Sequence, residues 1–450
     1  MKVAKFGGSS VADSSMLGQV ASIIEADQDR KFIVVSAPGK RYDDDVKVTD
    51  LFIQLGEQYD SGQNYEETLF KISQRFMSIT EELDLSKDIV ARIENESRRL
   101  LRETTNTTHL IDALKAMGED SLARILSAYL NKRGTKATYV NPKDAGVIVS
   151  SEPNGAQILE KSYEQIYRLR EREGVVVIPG FFGYTETGVL TAFPRGGSDI
   201  SGSIIAAGVQ AELYENFTDV SSVYCVNPKI VDEPKEIHTL TYKEMRELSY
   251  AGFSVFHDEA LIPAFKKNIP VCIKNTNDPD CRGTMIVASK KDNGQPVVGI
   301  ASDTGFSTIY VRKYLMNREI GFGQKLLSIL AEENISFEHA PSGIDDMSVI
   351  IRTEDLKGDK EEILMNRIKN ELQVDTVDVT HGLAMIMLVG EGMSNRLNVA
   401  SKATKAFAEA DVNIDMINQG SSEVSMMFGI YEENLNEAIK SLYQEFFLTD

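Results

Sequence analysis

Val3-Ala4-Lys5-Phe6-Gly7-Gly8-Ser9-Ser10 is the stretch on which the fold turns. Val3 to Phe6 reads as a short strand with a lysine near its end. Ser10 to Ala26 then carries apolar residues at helical spacing (Val11, Leu17, Val20, Ile23, Ile24). Phe32 to Ala37 (FIVVSA) is an apolar run suited to a buried parallel strand. Strand, glycine pair, helix, strand is the opening of an α/β domain with a mainly parallel sheet. Two glycines let the backbone approach a ligand closely, and amides at a helix start favour an anion. Lys5 can reach the same phosphate. Neither a Walker loop (GxxxxGK[ST]) nor a complete GxGxxG occurs.

A second glycine pair, Pro194-Arg195-Gly196-Gly197-Ser198-Asp199, precedes an expected helix from Ile200 to Gly208. The forked guanidinium of Arg195 suits a carboxylate or phosphate. Asp199 either caps that helix or orients Lys5 or a metal-bound phosphate. Two such loops suggest a site for two anions with phosphoryl transfer between them. That chemistry depends on positioning and charge neutralisation, and it calls for Mg²⁺ brought by ATP.

Between these loops, residues 50–133 are mostly helical. Thr135 to Val140 and Gly174 to Phe182 (GVVVIPGFF) read as strands, and Asn154 to Glu171 as a helix. Glu119 follows Gly118 at an expected helix start. It is either a first-turn carboxylate or a group that recognises an ammonium. A strand from Glu212 to Phe217 leads to Thr218-Asp219, at the edge where α/β sheets bind ligands. Tyr224, Asn227 and Lys229 follow in a loop, and Pro38 to Lys47 is polar and Asp-rich.

The 450 residues suggest two to four domains, and 42% hydrophobic with 26% charged residues is globular. The net charge of −20 argues against nucleic acid and anionic membranes as partners. Three cysteines without a CxxC fit a reducing compartment. The five histidines (His109, His238, His257, His339, His381) are scattered, so no protein-held metal is expected. No signal-like or membrane-spanning apolar run is present, which predicts a cytoplasmic protein.

Lys290 to Pro296 (KKDNGQP) reads as a linker. Beyond it the chain repeats: Ala331 to Phe337 aligns with Ala408 to Ile414 at an offset of 77 (408 − 331). The same offset pairs Gly343 with Gly420 and Ser348 with Ser425.

KFGGSSVA at Lys5 to Ala12, PRGGSD at Pro194 to Asp199 and FTDV at Phe217 to Val220 resemble the aspartate kinase family. The C-terminal pair looks like two ACT domains, and the likeness covers essentially the whole chain in order. The resemblance implies an amino-acid-kinase-like three-layer sandwich over residues 1–295, followed by two α+β ferredoxin-like ACT domains at 301–376 and 380–450. It implies ATP-dependent phosphorylation of the L-aspartate side-chain carboxylate to 4-phospho-L-aspartate. That is the first step toward lysine, threonine and methionine, and toward diaminopimelate in bacteria.

The resemblance also implies roles. Lys5, Gly7, Gly8 and Ser9 would hold the transferring phosphate, and Asp199 would organise Lys5 and the metal. Ser36, Thr49 and Phe181 would line the substrate pocket. Glu119 would take the aspartate ammonium, and Arg195, with Ser198 beside it, the α-carboxylate. Thr218, Asp219, Tyr224 and Lys229 would hold the nucleotide. An effector, lysine or threonine, would bind near Gly321-Phe322 and Ser342-Gly343-Ile344-Asp345-Asp346. The ACT domains would join copies into a homodimer or homotetramer.

Three departures stand out. Ser9 replaces a common Thr, and Asn227-Pro228-Lys229 replaces Asp-Pro-Arg. Asn277-Asp278-Pro279 lacks the usual basic residue, for which Lys274 is the nearest substitute. The alternatives are a kinase of the same fold acting on glutamate or acetylglutamate, and a non-catalytic amino-acid sensor.

Overall fold

The computed structural model describes residues 1–450 except 105, 153, 154, 254–258, 292, 293, 421–423 and 450. His257, the expected helix start at Asn154, part of the linker and Ser421-Ser422-Glu423 of the second repeat therefore lie outside the described residues.

The chain divides into two compact units. The first comprises Met1–Val223, Glu236–Arg246 and Ser254–Lys291. Its eight-stranded sheet is built around β1 (Lys2–Phe6), β2 (Arg30–Val35), β3 (Ala137–Tyr139), β4 (Val175–Pro179) and, later in the chain, Leu213–Thr218. Across the sheet the order is Thr239–Thr241, Thr284–Val287, Val271–Asn275, Leu213–Thr218, β1, β2, β4, β3. Among the described residues, the one antiparallel pairing in this sheet joins Val271–Asn275 to Thr284–Val287. β1 is central, and its last four residues are buried, which is why they are nearly all apolar.

Helix α1 (Ser14–Glu25) starts later than its apolar spacing predicts. Asp13 is its N-cap and accepts from the Met16 N–H, and Ser9–Val11 ahead of it is a separate 3-10 turn. Helices α2 (Val48–Asp60), α3 (Glu66–Glu82), α4 (Asp88–Glu103) and α5 (Thr107–Lys132) bear out the helical reading of this region. Glu119 does not begin a helix: it lies in the middle of α5. Gly118 sits there because a Cβ would fall 2.7 Å from the Ala37 Cβ.

Helix α6 (Pro142–Ala145) is short, and α7 spans only Ser162–Tyr167, not Asn154 to Glu171. The preceding backbone is already paired: Val149 bridges Ile158, and the Ser150 N–H donates to the Gln157 carbonyl. The run GVVVIPGFF is also not one strand. It stops at Pro179, turns at Gly180-Phe181, with Phe181 at φ 78°, and resumes as β5 (Phe182–Tyr184), which pairs β6 (Leu190–Ala192).

The second unit comprises Tyr224–Lys235, Glu247–Phe253 and Asp292–Asp450. A single boundary at 295 is thus too simple. The two earlier segments are tied in by hydrogen bonds from the Ile300 N–H to the Cys225 carbonyl and from the Ser425 hydroxyl to Glu247.

Its five-stranded sheet runs Asp346–Arg352, Gly299–Arg312, Thr376–Val389, Ser425–Tyr431, Met416–Gln419. The repeat is present: helices Phe322–Glu332 and Val399–Glu409 start 77 residues apart (399 − 322). The copies are not sequential. Gly299–Asp303 pairs with Met385–Val389, whereas Thr308–Arg312 pairs with Thr376–Thr380. Boundaries at 376 and 380 fall inside one continuous strand. Among the described residues no helix is long and apolar enough to cross a membrane.

Candidate active site

The ends of β1 and β2 and the start of the next helix make a backbone cradle. After Phe6 the Gly7 N–H donates to the Phe217 carbonyl, and the 3-10 turn closes through Ser10 N–H to Gly7 O and Val11 N–H to Gly8 O. The amides nearest the glycine pair therefore belong to this turn and not to α1. Gly39 lies against Gly8, its N–H donating to the Gly8 carbonyl at 2.8 Å. A Cβ on Gly39 would stand 2.6 Å from the Gly8 carbonyl carbon, so two backbone segments cross here with only hydrogens between them.

Lys5 reaches across from β1. It is buried, and its Nζ lies 2.6 Å from Asp199 Oδ1. Asp199 is the third residue of α8 (Gly197–Val209), whose N-cap is Gly196 at φ 76° with no side-chain cap. The capping role is thus not the one Asp199 plays, and its carboxylate faces Lys5. The other carboxylate oxygen has no partner among the described residues. The two glycine loops, 189 residues apart in sequence (196 − 7), meet through this ion pair.

Ser36 and Ala37 follow the end of β2, and the Ser36 N–H donates to the Phe6 carbonyl. Val48, which precedes Thr49 at the start of α2, donates its N–H to Pro38 O. Ala37, Val48 and Gly118 pack together, which gathers Ser36, Thr49 and Glu119 in one region. Glu119 is buried, accepts from the Ala37 N–H, and leaves Oε2 unpartnered. Burial pushes its carboxyl up to about 8, only partly offset by backbone N–H donors.

Phe181 packs against Gly197, where a Cβ would fall 2.7 Å from its ring, and its N–H donates to Ser201 Oγ. Ser198 is buried beside Gly180. Arg195 is exposed and makes no ion pair among the described residues.

Thr218 ends the strand beside β1, and its hydroxyl donates to Asp219 Oδ1 at 3.1 Å. The Thr276 N–H donates to the Thr218 carbonyl, and the Thr276 hydroxyl donates to Ser10 Oγ at 2.6 Å. The turn at 275–277 is thereby tied to the cradle. Lys274 is the register partner of Phe217, one residue before that turn. Tyr224 and Lys229 group with the second unit.

Several residues here escaped the sequence reading. Asn216 Nδ2 donates to the same Asp199 Oδ1, at 2.5 Å, and Tyr214 Oη donates to the Asp199 carbonyl. Arg75, buried on α3, donates to Asp45, to the Ala12 carbonyl and to the Gly39 carbonyl. Arg41, then Arg75, hold Asp45 far below the usual carboxylate range in spite of its burial. This cluster fixes the Pro38–Lys47 loop over the cradle. A polar residue inside a buried parallel strand was the available signal for Asn216; nothing local marks Arg75.

A separate cavity of about 450 Å³ lies between α4, α5 and the β5–β6 hairpin, lined by Arg92, Met117, Asp120, Arg124 and Tyr184 among others. It contains none of the residues above. Among the described residues no group of three or more His, Cys, Asp or Glu is placed to hold a metal ion.

Within the second unit, Gly321 at φ 84° caps Phe322–Glu332, with Phe322 buried. The segment Ser342 to Asp346 lies alongside: Gly323 approaches Met347, and the Asn317 N–H donates to Ile344 O. Asp345 is already used, accepting from the Leu315 N–H at 2.8 Å, and Ile344 is exposed. Asp346 Oδ1 faces Gly343.

Residues 1–275 match the amino acid kinase family, and residues 386–446 match an ACT domain. The chain is 54% identical over 448 residues to Aspartokinase 3 of Bacillus subtilis, covering 99% of each. It superposes on the crystal structure of Clostridium acetobutylicum aspartate kinase with a TM-score of 0.89 at 38% identity, covering 99% of this chain and 100% of that one. Escherichia coli aspartokinase III in complex with aspartate and ADP gives 0.80 at 24% identity (99% and 100% covered), and with lysine and aspartate 0.81 at 24% (99% of each). These last two bear on the fold alone.

Proposed function

This chain belongs to the amino acid kinase family, in its aspartokinase branch, and from that premise we propose how its residues divide the work. The reaction is transfer of the γ-phosphoryl group of ATP to the side-chain carboxylate of L-aspartate. A carboxylate oxygen bonds to the γ-phosphorus, the bond to the bridging oxygen breaks, and ADP leaves with 4-phospho-L-aspartate as product. Transfer between two anions needs little covalent help from protein but close neutralisation of charge.

The observation that carries the assignment is the 2.6 Å pair of Lys5 with Asp199, which joins the two glycine loops. In this reading Lys5 and the amides around Gly7, Gly8 and Ser9 hold the transferring phosphoryl group. Asp199 holds Lys5 with one oxygen, and its other oxygen, without a partner among the described residues, would orient Mg²⁺ brought by the nucleotide. Mg²⁺ travels with the nucleotide, since one carboxylate orients a hydrated ion but does not hold one. Glu119 receives the aspartate ammonium, Arg195 its α-carboxylate, and Ser36, Thr49, Phe181 and Ser198 line the pocket. Thr218 and Asp219 serve the nucleotide.

Residues 306–380 form one ACT domain set within a second, made of 299–303 and 383–446. The inner copy takes the effector, lysine first and threonine second, through Ser342 to Asp346 and the helix start at Gly321-Phe322. Copies pair through these domains, and the enzyme works in the cytoplasm. That the Escherichia coli relative, 26% identical over 455 residues, is a lysine-sensitive aspartokinase supports lysine as the first choice of effector.

The test is ADP release from Mg-ATP with L-aspartate, L-glutamate, N-acetylglutamate or no acceptor, each with and without lysine and threonine. Aspartate-dependent release that Lys5→Ala abolishes, in a variant that keeps its thermal midpoint, is expected. Near-normal turnover by Lys5→Ala would overturn the phosphate role. Absence of turnover with every acceptor would favour the sensor.

A further inference from the structure

The register of β1 on the strand Leu213–Thr218 sets Lys5 directly opposite Asn216. Adjacent parallel strands thus send a cation and an amide toward the same place, and what they meet is Asp199. Its Oδ1 accepts from Lys5 Nζ at 2.6 Å and from Asn216 Nδ2 at 2.5 Å. Asn216 is backed in turn by Tyr214: its Nδ2 donates to Tyr214 Oη at 3.2 Å, and that hydroxyl donates to the Asp199 carbonyl at 3.2 Å. Tyr214 is wholly buried and Asn216 nearly so. Burial and the Asp199 charge push the Tyr214 hydroxyl well above its ordinary value, so it stays a donor. Gly202, one turn along α8, leaves the space the Tyr214 hydroxyl occupies, and a Cβ there would overlap it.

A carboxylate on a helix keeps freedom about its last bond. Two donors converging on one oxygen remove that freedom. They also fix which oxygen remains for other partners. An apolar side chain of the same size at 216 would leave Asp199 held by Lys5 alone, and the two would turn together.

We propose that Asn216, braced by Tyr214, is a positioning residue for phosphoryl transfer: it locks the Asp199 carboxylate so that Lys5 stays aimed at the transferring group. The inference rests on the assignment of Lys5 and Asp199 above. It predicts an effect on the chemical step and little on substrate capture.

The experiment uses the full chain and measures kcat, both KM values and the thermal midpoint for Asn216→Leu, Asn216→Asp, Tyr214→Phe, Asp199→Asn and the double variant Asn216→Leu/Asp199→Asn. Asn216→Leu should lower kcat roughly 100-fold, the scale of a misplaced reacting group, with the aspartate KM within about threefold. Asn216→Asp, of equal size, should lose at least as much, because it sets a second carboxylate against Asp199. Tyr214→Phe should lose less than Asn216→Leu. In the Asp199→Asn background, Asn216→Leu should cost almost nothing further, since both act through one group.

A kcat for Asn216→Leu and Asn216→Asp within threefold of the parent, while Asp199→Asn is crippled, would overturn the proposal and leave the site reading standing. So would full additivity in the double variant. Normal turnover by Asp199→Asn would instead overturn the site reading itself. If Asn216→Leu loses its thermal transition, Asn216→Asp and Tyr214→Phe decide by the same criteria.

Discussion

Glu119 offers the sharpest test of the substrate pocket. Burial raises its carboxyl to about 8, no neighbouring charge contributes to that shift, and Oε2 has no partner. Below pH 8 the empty site therefore holds Glu119 protonated, whereas an ammonium ligand needs the carboxylate. Binding aspartate must expel a proton, and the aspartate KM should rise as pH falls. The expected rise is about fivefold from pH 8 to 7 and about tenfold per unit below that, following a single ionisation.

Above pH 8 the KM should level. Calorimetry at pH 7 in buffers of different ionisation enthalpy should show close to one proton released per aspartate bound. Glu119→Gln should bind weakly, with neither pH dependence nor proton release.

Stability gives an independent reading. A carboxyl raised from the ordinary 4.5 favours folding in its protonated form, so the native state loses stability as pH climbs from about 4.5 to about 8. The whole gap is worth on the order of 5 kcal/mol at 1.36 kcal/mol per pH unit. Glu119→Gln should match the parent near pH 4.5 and unfold at higher temperature above pH 8. A flat aspartate KM between pH 6 and 8 would refute the ammonium role. An equal thermal midpoint of the two proteins at pH 8.5 would refute the buried, unpaired state.

Three further outcomes are expected. Arg195→Ala should raise the aspartate KM by about 2–4 kcal/mol, roughly 30- to 700-fold, and steady-state kinetics with an unchanged KM would remove it from the pocket. Gly39→Ala drives a Cβ into the Gly8 backbone and should cost about 1–3 kcal/mol, seen as a lower thermal midpoint together with a kcat loss. A variant of parental stability and turnover would mean that the crossing is not needed. Asp346→Ala should shift the lysine inhibition curve at least tenfold without changing uninhibited kcat, and an unmoved curve would put the effector elsewhere.

The kinase unit was legible because its glycine pairs sit where strands give way to helices, and each carries its cation within two residues. Lys5, Asp199 and Arg195 could be named for that reason. Glu119 was legible as a residue but not in its setting. Gly118 reads as a helix break, yet it is there to let α5 approach Ala37. Asn216, Tyr214 and Arg75 act through partners 15 or more residues away, and no local pattern records such contacts. The C-terminal duplication showed in the offset of 77, because helix and strand patterns repeat together. Its wiring did not show, since strand register carries no mark in the sequence.

That wiring behaves like a parenthesis in a sentence. The inner copy opens after Gly305 and closes before Gly382, both at positive φ, and between them Thr308 lies opposite Thr380. Its two ends are neighbours, so it can be lifted out or exchanged for a relative's by rejoining the flanking residues, leaving the outer copy whole. A fragment begun at 380 has no such fortune. It lacks Gly299–Asp303, and the strand that should meet it is left as a bare edge inviting foreign partners. On the proposed assignment of the effector to the inner copy, effector specificity sits in a cassette whose two ends meet, while the outer copy depends on both of its segments.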